Sequence, residues 1–141
     1  MAEEEQLLRL AAYTGDARYE GAAIGTLALL ADAMSEYPQA FGEALNAADM
    51  LVNGLTEVAI VGNPTQAITR DMLTRINAGY YPNVIRALSR SDVDGEASIR
   101  LLSHRSQQNG QPTAYVCRHF VCNNPVTSAD ALAGLLRPEH T

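Results

Sequence analysis

The apolar residues of the first 53 positions recur at the spacing of an α-helix. Stripes with a period of about 3.6 residues run through 3–13, 17–35 and 39–52. Gly15 and Pro38 separate them, because glycine favours a helix end and proline is excluded from a helix interior. The pattern predicts three antiparallel helices, whose apolar stripes include Leu7, Leu8, Leu10 and Ala11, then Ile24, Leu27, Ala31 and Met34, then Phe41, Ala44, Leu45, Ala48 and Leu51.

The period of the hydrophobic pattern changes after residue 54. Residues 57–62 form a short apolar run bounded by turn residues, which is typical of a buried strand. A helical stripe over 64–79 follows, and then a second apolar run over 83–88. This order predicts a β-α-β unit with a parallel, right-handed strand pair.

The start of that fourth helix has a clear signal. Asn63 is a good N-cap, Pro64 fits the first helical position, and Gln66 stands where the partner in a capping box would lie. Asp16 is expected to cap the second helix in the same way.

Residues 89–112 are more polar and less regular, with one helical turn predicted over 97–102. A third strand is predicted over 113–117, and Thr127 can cap a final helix that runs through Leu136. We therefore predict an α+β or α/β fold, with three antiparallel helices over 1–53 and a small three-stranded α/β unit over 54–141. Since the connection is very short, we expect the two parts to pack as one compact domain.

Composition excludes several classes of function. Of 141 residues, 47% are apolar and 18% are charged, and the net charge is -6. The sequence contains no lysine, so every basic side chain other than histidine is an arginine. An acidic chain lacks the basic footprint that nucleic acid requires. The chain shows neither a secretory leader nor an apolar run of about 18 residues, so we expect a soluble, cytoplasmic protein that binds no membrane.

Several sequence blocks together resemble one known family. The blocks are Leu7-Leu8-Arg9-Leu10 with Thr14-Gly15-Asp16 and Tyr19, Tyr37-Pro38 with Ala40-Phe41-Gly42, residues 57–62, Tyr81-Pro82-Asn83, and Gly110 to Cys117 with Cys122 and Pro125-Val126-Thr127. In order and spacing they resemble the C-terminal region of the bacterial YyaL-type and spermatogenesis-associated thioredoxin-like proteins. The last block, residues 110–127, is the most specific, and the match extends over nearly the whole chain.

The resemblance implies a fold context. Members have a thioredoxin-like domain followed by an (α/α)6 barrel similar to those of N-acylglucosamine 2-epimerases and six-hairpin glycosidases. By that analogy, residues 1–53 resemble the last hairpins of the barrel, and the α/β unit is an appendage. The thioredoxin domain, its Cys-x-x-Cys motif and most of the barrel lie outside this sequence, so no catalytic residue carries over from them.

Cys117 and Cys122, with His119 between them, are the first candidates for chemistry. A redox disulfide would need the two Cα atoms within about 7 Å. A zinc site would need a fourth ligand from His104 or His140, and the spacing is not the usual one for zinc. The simpler interpretation, which we favour, is that both cysteines are small buried apolar residues.

Three other patterns have weaker functional interpretations. Gly62 and Asn63, between a strand and a helix, are placed as in anion sites, although a glycine there more often permits a sharp turn. Asp92 and Asp94 with Glu96 resemble part of a calcium loop but fit a solvated turn better. A further set lies at the turn between the second and third helices and consists of Tyr37, Gln39 and Phe41. These side chains could line the rim of a ligand cavity, or they could pack against the ends of the helices.

The leading hypothesis for function is non-catalytic. The low charge and alanine-rich helices predict apolar surface that another protein surface covers, either a second copy or the upstream domains of the family protein. No cofactor and no catalytic residue are predicted. The alternatives are a wall of a carbohydrate-related active site, a thiol-redox or metal module at Cys117 and Cys122, and a nucleotide-binding unit at the fourth helix.

Overall fold

The computed structural model describes residues 2–90 and 99–137 and divides the chain into two compact units, one ending at Leu55 and the other beginning at Thr56. Each unit has its own hydrophobic core. The sequence predicts a boundary near residue 54. That the two units pack as a single domain stays a prediction.

The first unit is helical. It comprises α1 (Glu3–Thr14), α2 (Ala17–Glu36), a 3-10 turn at Pro38–Ala40 and α3 (Gly42–Asn53). Gly15 ends α1 with a φ of 74°, a conformation that glycine adopts without a steric penalty. The core of this unit consists of Leu8, Ala23, Leu27, Met34, Ala44, Ala47 and Met50.

The second unit is a four-stranded mixed sheet with two helices. Its elements are β1 (Thr56–Val61), α4 (Ala67–Ala78), β2 (Val84–Ser89), a 3-10 turn at Arg100–Leu102, β3 (Thr113–Arg118), β4 (Val121–Cys122) and α5 (Ala129–Leu136). The strand order is β2-β1-β3-β4. The β1–β2 pair is parallel, while β3 is antiparallel to both β1 and β4.

Alternation along the strands gives the sheet two distinct faces. Val58 and Ile60 of β1 face the core shared with α4 and α5. Their neighbours Glu57 and Ala59 therefore point to the opposite face, where the 3-10 turn at Arg100–Leu102 packs beside β1 and β2. The core on the first face is made of Val58, Ile60, Met72, Ile76, Ala114, Val116, Leu132 and Leu136.

The predicted fold class and β-α-β unit are confirmed, with corrections at element ends. The fourth helix begins at Ala67 and not at Pro64, because Asn63 to Gln66 close a separate turn first. The third helix begins at Gly42, since Pro38 starts a 3-10 turn instead of an α-helix. The sheet has a fourth strand, β4, and the predicted turn over 97–102 is observed from Arg100 as a 3-10 turn.

The second half contains a final helix as predicted, but its cap differs. Ser128, not Thr127, caps α5 by accepting a hydrogen bond from the Ala131 amide at 3.2 Å.

Among the described residues, every helix is too short or too polar to cross a lipid bilayer.

Candidate functional site

The two cysteines are joined by a disulfide across the β3–β4 hairpin. Cys117 and Cys122 are direct partners in the strand register, with their Cα atoms 3.9 Å apart. The two sulfurs differ in environment, because Cys117 is only 2% exposed whereas Cys122 lies on the exposed edge strand. The preferred prediction of two buried, free thiols is therefore wrong, since the register sets them face to face and Cys122 is at the surface.

The tip of this hairpin has an uncommon backbone. His119 and Phe120 both have positive φ, at 49° and 64°. Two-residue hairpin turns of this kind favour Asn-Gly, since the left-handed region is costly for a bulky side chain. Phe120 and Val121 also project into solvent, with 94% and 72% of their surfaces exposed. The tip thus presents an apolar side chain in a conformation that its residue type disfavours.

A guanidinium lies beside the disulfide. Arg105 Nη2 is 3.4 Å from Cys117 Sγ and 4.0 Å from Cys122 Sγ. The side chain is held in place by two further contacts: Arg105 Nε donates to the Leu101 carbonyl at 2.8 Å, and the guanidinium stacks 5.0 Å above the Tyr115 ring. Tyr115 Oη in turn donates to the Ser106 carbonyl at 2.5 Å. The positive charge is therefore positioned near the sulfurs by the fold.

Two other charged groups lie close to this cluster. Glu57 is the register partner of Cys117 on β1, and its carboxylate accepts a hydrogen bond from Arg100. Burial lowers the pKa of the Arg105 guanidinium, and the nearby charge of Glu57 opposes that effect. An arginine keeps its proton at any physiological pH. Arg105 therefore places a positive charge beside Cys117, while the carboxylate of Glu57 is held in an ion pair with Arg100.

This arrangement suits sulfur chemistry better than metal binding. A thiolate is stabilised by an adjacent guanidinium, and reactive cysteines lie in electropositive, partly exposed surroundings. Among residues 2–90 and 99–137, no three His, Cys, Asp or Glu side chains converge to hold a metal ion. His119 and His104 are exposed, while His140 lies outside the described residues.

Gly62 and Asn63, the candidates for an anion site, have a packing explanation. A Cβ on Gly62 would lie 2.5 Å from Thr69 Oγ1 and 2.8 Å from the Pro112 Cβ. The amide of Thr65 donates to Asn63 Oδ1 at 3.0 Å, and the amide of Gln66 donates to the Asn63 carbonyl. These two donors are thus engaged within the turn, and the glycine is needed for close approach.

The remaining candidates do not converge on a site. Tyr37 is 59% exposed and Gln39 is exposed, while Phe41 packs against the core of the helical unit. The acidic set of Asp92, Asp94 and Glu96 lies outside the described residues.

The sequence missed Arg105, which has the closest contact with the sulfurs. It lies in the irregular stretch between β2 and β3, where no periodicity predicts which side chain reaches the sheet. Strand alternation does place Tyr115 and Cys117 on the same face of β3. The sequence could therefore have predicted that Tyr115 lies beside Cys117.

Comparison with known proteins gives homologues but no matching fold. No family model matches this chain, and no solved structure matches it. The chain is 28% identical to human spermatogenesis-associated protein 20 over 134 residues, which is 94% of this chain and 17% of the human protein. The Rattus norvegicus protein of the same name is 26% identical over 132 residues, or 92% of this chain and 17% of that protein.

A third relative, an uncharacterized protein of Caenorhabditis elegans, is 30% identical over 83 residues, or 58% of this chain and 11% of that protein. The resemblance to the spermatogenesis-associated family is therefore confirmed as homology along nearly the whole chain. The chain spans only 17% of the length of its human and rat relatives, so the activity of those whole proteins does not transfer to it.

Proposed function

We propose that this chain is a non-catalytic interaction module, and that the outward face of α2 docks against a second copy of the chain. The observation that carries the proposal is the exposure of α2. In a helix of 20 residues, only Ala23, Leu27 and Met34 are buried. Leu29, on the other side, is 87% exposed.

The uncovered side of α2 is small and apolar along its middle. At 100° per residue, Gly25 points almost directly away from the buried stripe, and its neighbours on that side carry no charge for more than two turns. This outward face comprises Gly21, Ala22, Gly25, Ala28 and Leu29. Apolar surface of this kind is a normal sign of a protein–protein contact.

The two glycines of this face leave open space beside them in the part of the chain that the structure describes. There, a Cβ built on Gly21 or Gly25 meets nothing within 4 Å. Glycine inside a helix costs about 0.5–1 kcal/mol relative to alanine. A second helix that packs closely along this face would account for glycine at these positions, since small residues allow two helix backbones to come together.

The charges at the ends of the face favour a second copy as the occupant. Arg18 stands seven residues before Gly25 and Asp32 seven residues after it, close to two helical turns in each direction. An antiparallel pair of α2 helices that cross at Gly25 would place each Arg18 opposite the partner's Asp32 position. In the structure Arg18 pairs with Asp16 at 2.7 Å and is 89% exposed, so it remains accessible for sharing.

Sedimentation equilibrium on the whole chain tests the proposal. The native chain is expected to form a dimer, and Leu29→Glu to shift it to monomer because a buried carboxylate would be unpaired. The matched control is Val52→Glu, which changes an apolar residue of α3 that is also largely exposed, at 76%, and should leave the dimer intact. A native chain that is monomeric at all concentrations, or a dimer that Leu29→Glu leaves unchanged, would refute this role of α2.

A further inference from the structure

We propose that the Cys117–Cys122 disulfide is a redox site that exchanges with an external dithiol, with Cys122 as the sulfur attacked and Cys117 as the leaving thiolate held by Arg105. The proposal depends on the second unit alone and is independent of the interaction assigned to α2. Its basis is the combination of an exposed cysteine residue, a buried cysteine residue and a guanidinium that two further contacts hold in place.

The exposure of the two sulfurs sets the direction of attack. Cys122 belongs to β4, an edge strand of two residues that pairs only with β3 in the sheet order. Cys117 is 2% exposed beneath it. An incoming thiolate therefore reaches Cys122 Sγ, and the electron pair of the S–S bond departs with Cys117.

Arg105 stabilises the charge that this step creates. A disulfide exchanges faster when the departing thiol has a lower pKa, and a permanent positive charge 3.4 Å from Cys117 Sγ acts in that direction. Among the described residues, Arg105 contacts Cys117 Sγ, Glu57 is the register partner of Cys117, and Arg100 pairs with Glu57. Since Glu57 already pairs with Arg100, its carboxylate opposes the thiolate only in part.

The exchange balances without any further reactant. One thiolate of the external dithiol forms a mixed disulfide with Cys122 and releases Cys117 as a thiolate. The second thiol of the dithiol then attacks the dithiol sulfur that is bonded to Cys122. This step closes the external disulfide and releases Cys122 as a thiolate. Two electrons and two protons pass to the cysteine pair, and the dithiol is oxidised.

The reduced chain should remain folded, which a reversible site requires. The two cysteines are five residues apart in sequence, so the disulfide closes a very short loop. The chain entropy that a disulfide removes from the unfolded state becomes smaller as the closed loop becomes shorter, so this disulfide adds comparatively little to stability. The core of the second unit lies on the opposite face of the sheet, with α4 and α5.

The first test is the rate at which dithiothreitol reduces the native disulfide, measured by alkylation and mass spectrometry. In Arg105→Gln, dithiothreitol is expected to reduce the disulfide roughly three- to tenfold more slowly than in the native chain, because the leaving thiolate loses the adjacent positive charge. Arg105→Lys should retain most of the native rate. The matched control, Arg75→Gln, removes a guanidinium that pairs with Asp130 and should have no effect.

The second test measures the thiol itself. In Cys122→Ser, adding Arg105→Gln should raise the pKa of the Cys117 thiol, because the thiolate loses the adjacent positive charge. A merely structural role for Arg105 would leave that pKa in place. Unchanged reduction rates in Arg105→Gln, a Cys117 pKa that Arg105→Gln does not move, or unfolding of the reduced native chain would each overturn the proposal.

Discussion

Gly62 and Thr69 lie so close together that a single added carbon on Gly62 would come within 2.5 Å of Thr69 Oγ1. Both residues are buried, at the end of β1 and in the first turn of α4. The contact fixes how the connection between strand and helix passes over the sheet edge. It also gives a packing reason for a glycine whose position, by sequence alone, had the anion site as its weaker interpretation.

Gly62→Ala should lower the free energy of unfolding by about 1–3 kcal/mol, since the new methyl group overpacks against Thr69 and Pro112. Urea denaturation measures this change. The matched control is Gly134→Ala in α5, where a Cβ meets nothing within 4 Å and helix propensity should make the change neutral or stabilising. If Gly62→Ala is as stable as the native chain, then Thr69 and Pro112 can move aside for the new methyl group without lowering the free energy of unfolding, and the prediction is wrong.

Thr69→Val should stabilise the chain by about 1 kcal/mol. Thr69 is fully buried, and its Oγ1 has no hydrogen-bond partner in the structure as described. Valine keeps the shape and removes the desolvated hydroxyl, which costs free energy when it is unpaired. Thermal unfolding checks the effect, with Thr74→Val on the exposed side of α4 as the control. A loss of stability in Thr69→Val alone would indicate that the hydroxyl has a partner such as a buried water.

The extent to which sequence predicted this fold depended on the length of each element. Helical stripes of 12 to 20 residues and the six-residue strands β1, β2 and β3 carry enough periodicity to be recognised. β4 has two residues, too few for any pattern, and its pairing with β3 is what joins the cysteines. The partner of the sulfurs, Arg105, comes from a segment without periodicity, so only the folded chain reveals it.

Asp16 should make stability depend on pH at the acidic end. Its side-chain and backbone hydrogen bonds with Arg18 lower its pKa from 3.8 to about 2. Because the folded-state pKa is depressed, the contribution is complete above pH 3.8 and is lost as the pH falls through about 2. In acid titrations of stability, Asp16→Asn should reduce the slope between pH 4 and 2.

Gly25→Ala should separate the stability of the chain from its self-association. Within one chain the substitution is expected to raise the free energy of unfolding by about 0.5–1 kcal/mol, since alanine is the better helix former and a Cβ meets no neighbour there. In the dimer proposed above, the same methyl group would keep the two helices apart. The dimer dissociation constant should therefore rise, measured by sedimentation equilibrium. A variant that is both more stable and equally dimeric would place the contact elsewhere.

Asp32→Arg tests the antiparallel arrangement of that dimer. An Arg at position 32 would face Arg18 of the second copy, so the dimer should weaken, and most strongly at low salt. The control is Glu43→Arg, which makes the same change in charge on α3. If both substitutions weaken the dimer equally, net charge and not the pairing of α2 ends is responsible.

Phe120→Gly should stabilise the hairpin by about 1 kcal/mol, because glycine adopts the φ of 64° without the steric penalty that a phenylalanine meets. Phe120 is 94% exposed, so its removal forfeits almost no burial. Unfolding of the oxidised chain measures the change, and Tyr80→Gly, which removes an equally exposed aromatic residue at 90%, is the control without that gain. Comparing dithiothreitol reduction in Phe120→Gly with the native chain then shows whether the ring shields Cys122: faster reduction would identify Phe120 as a cover over the sulfur that is attacked.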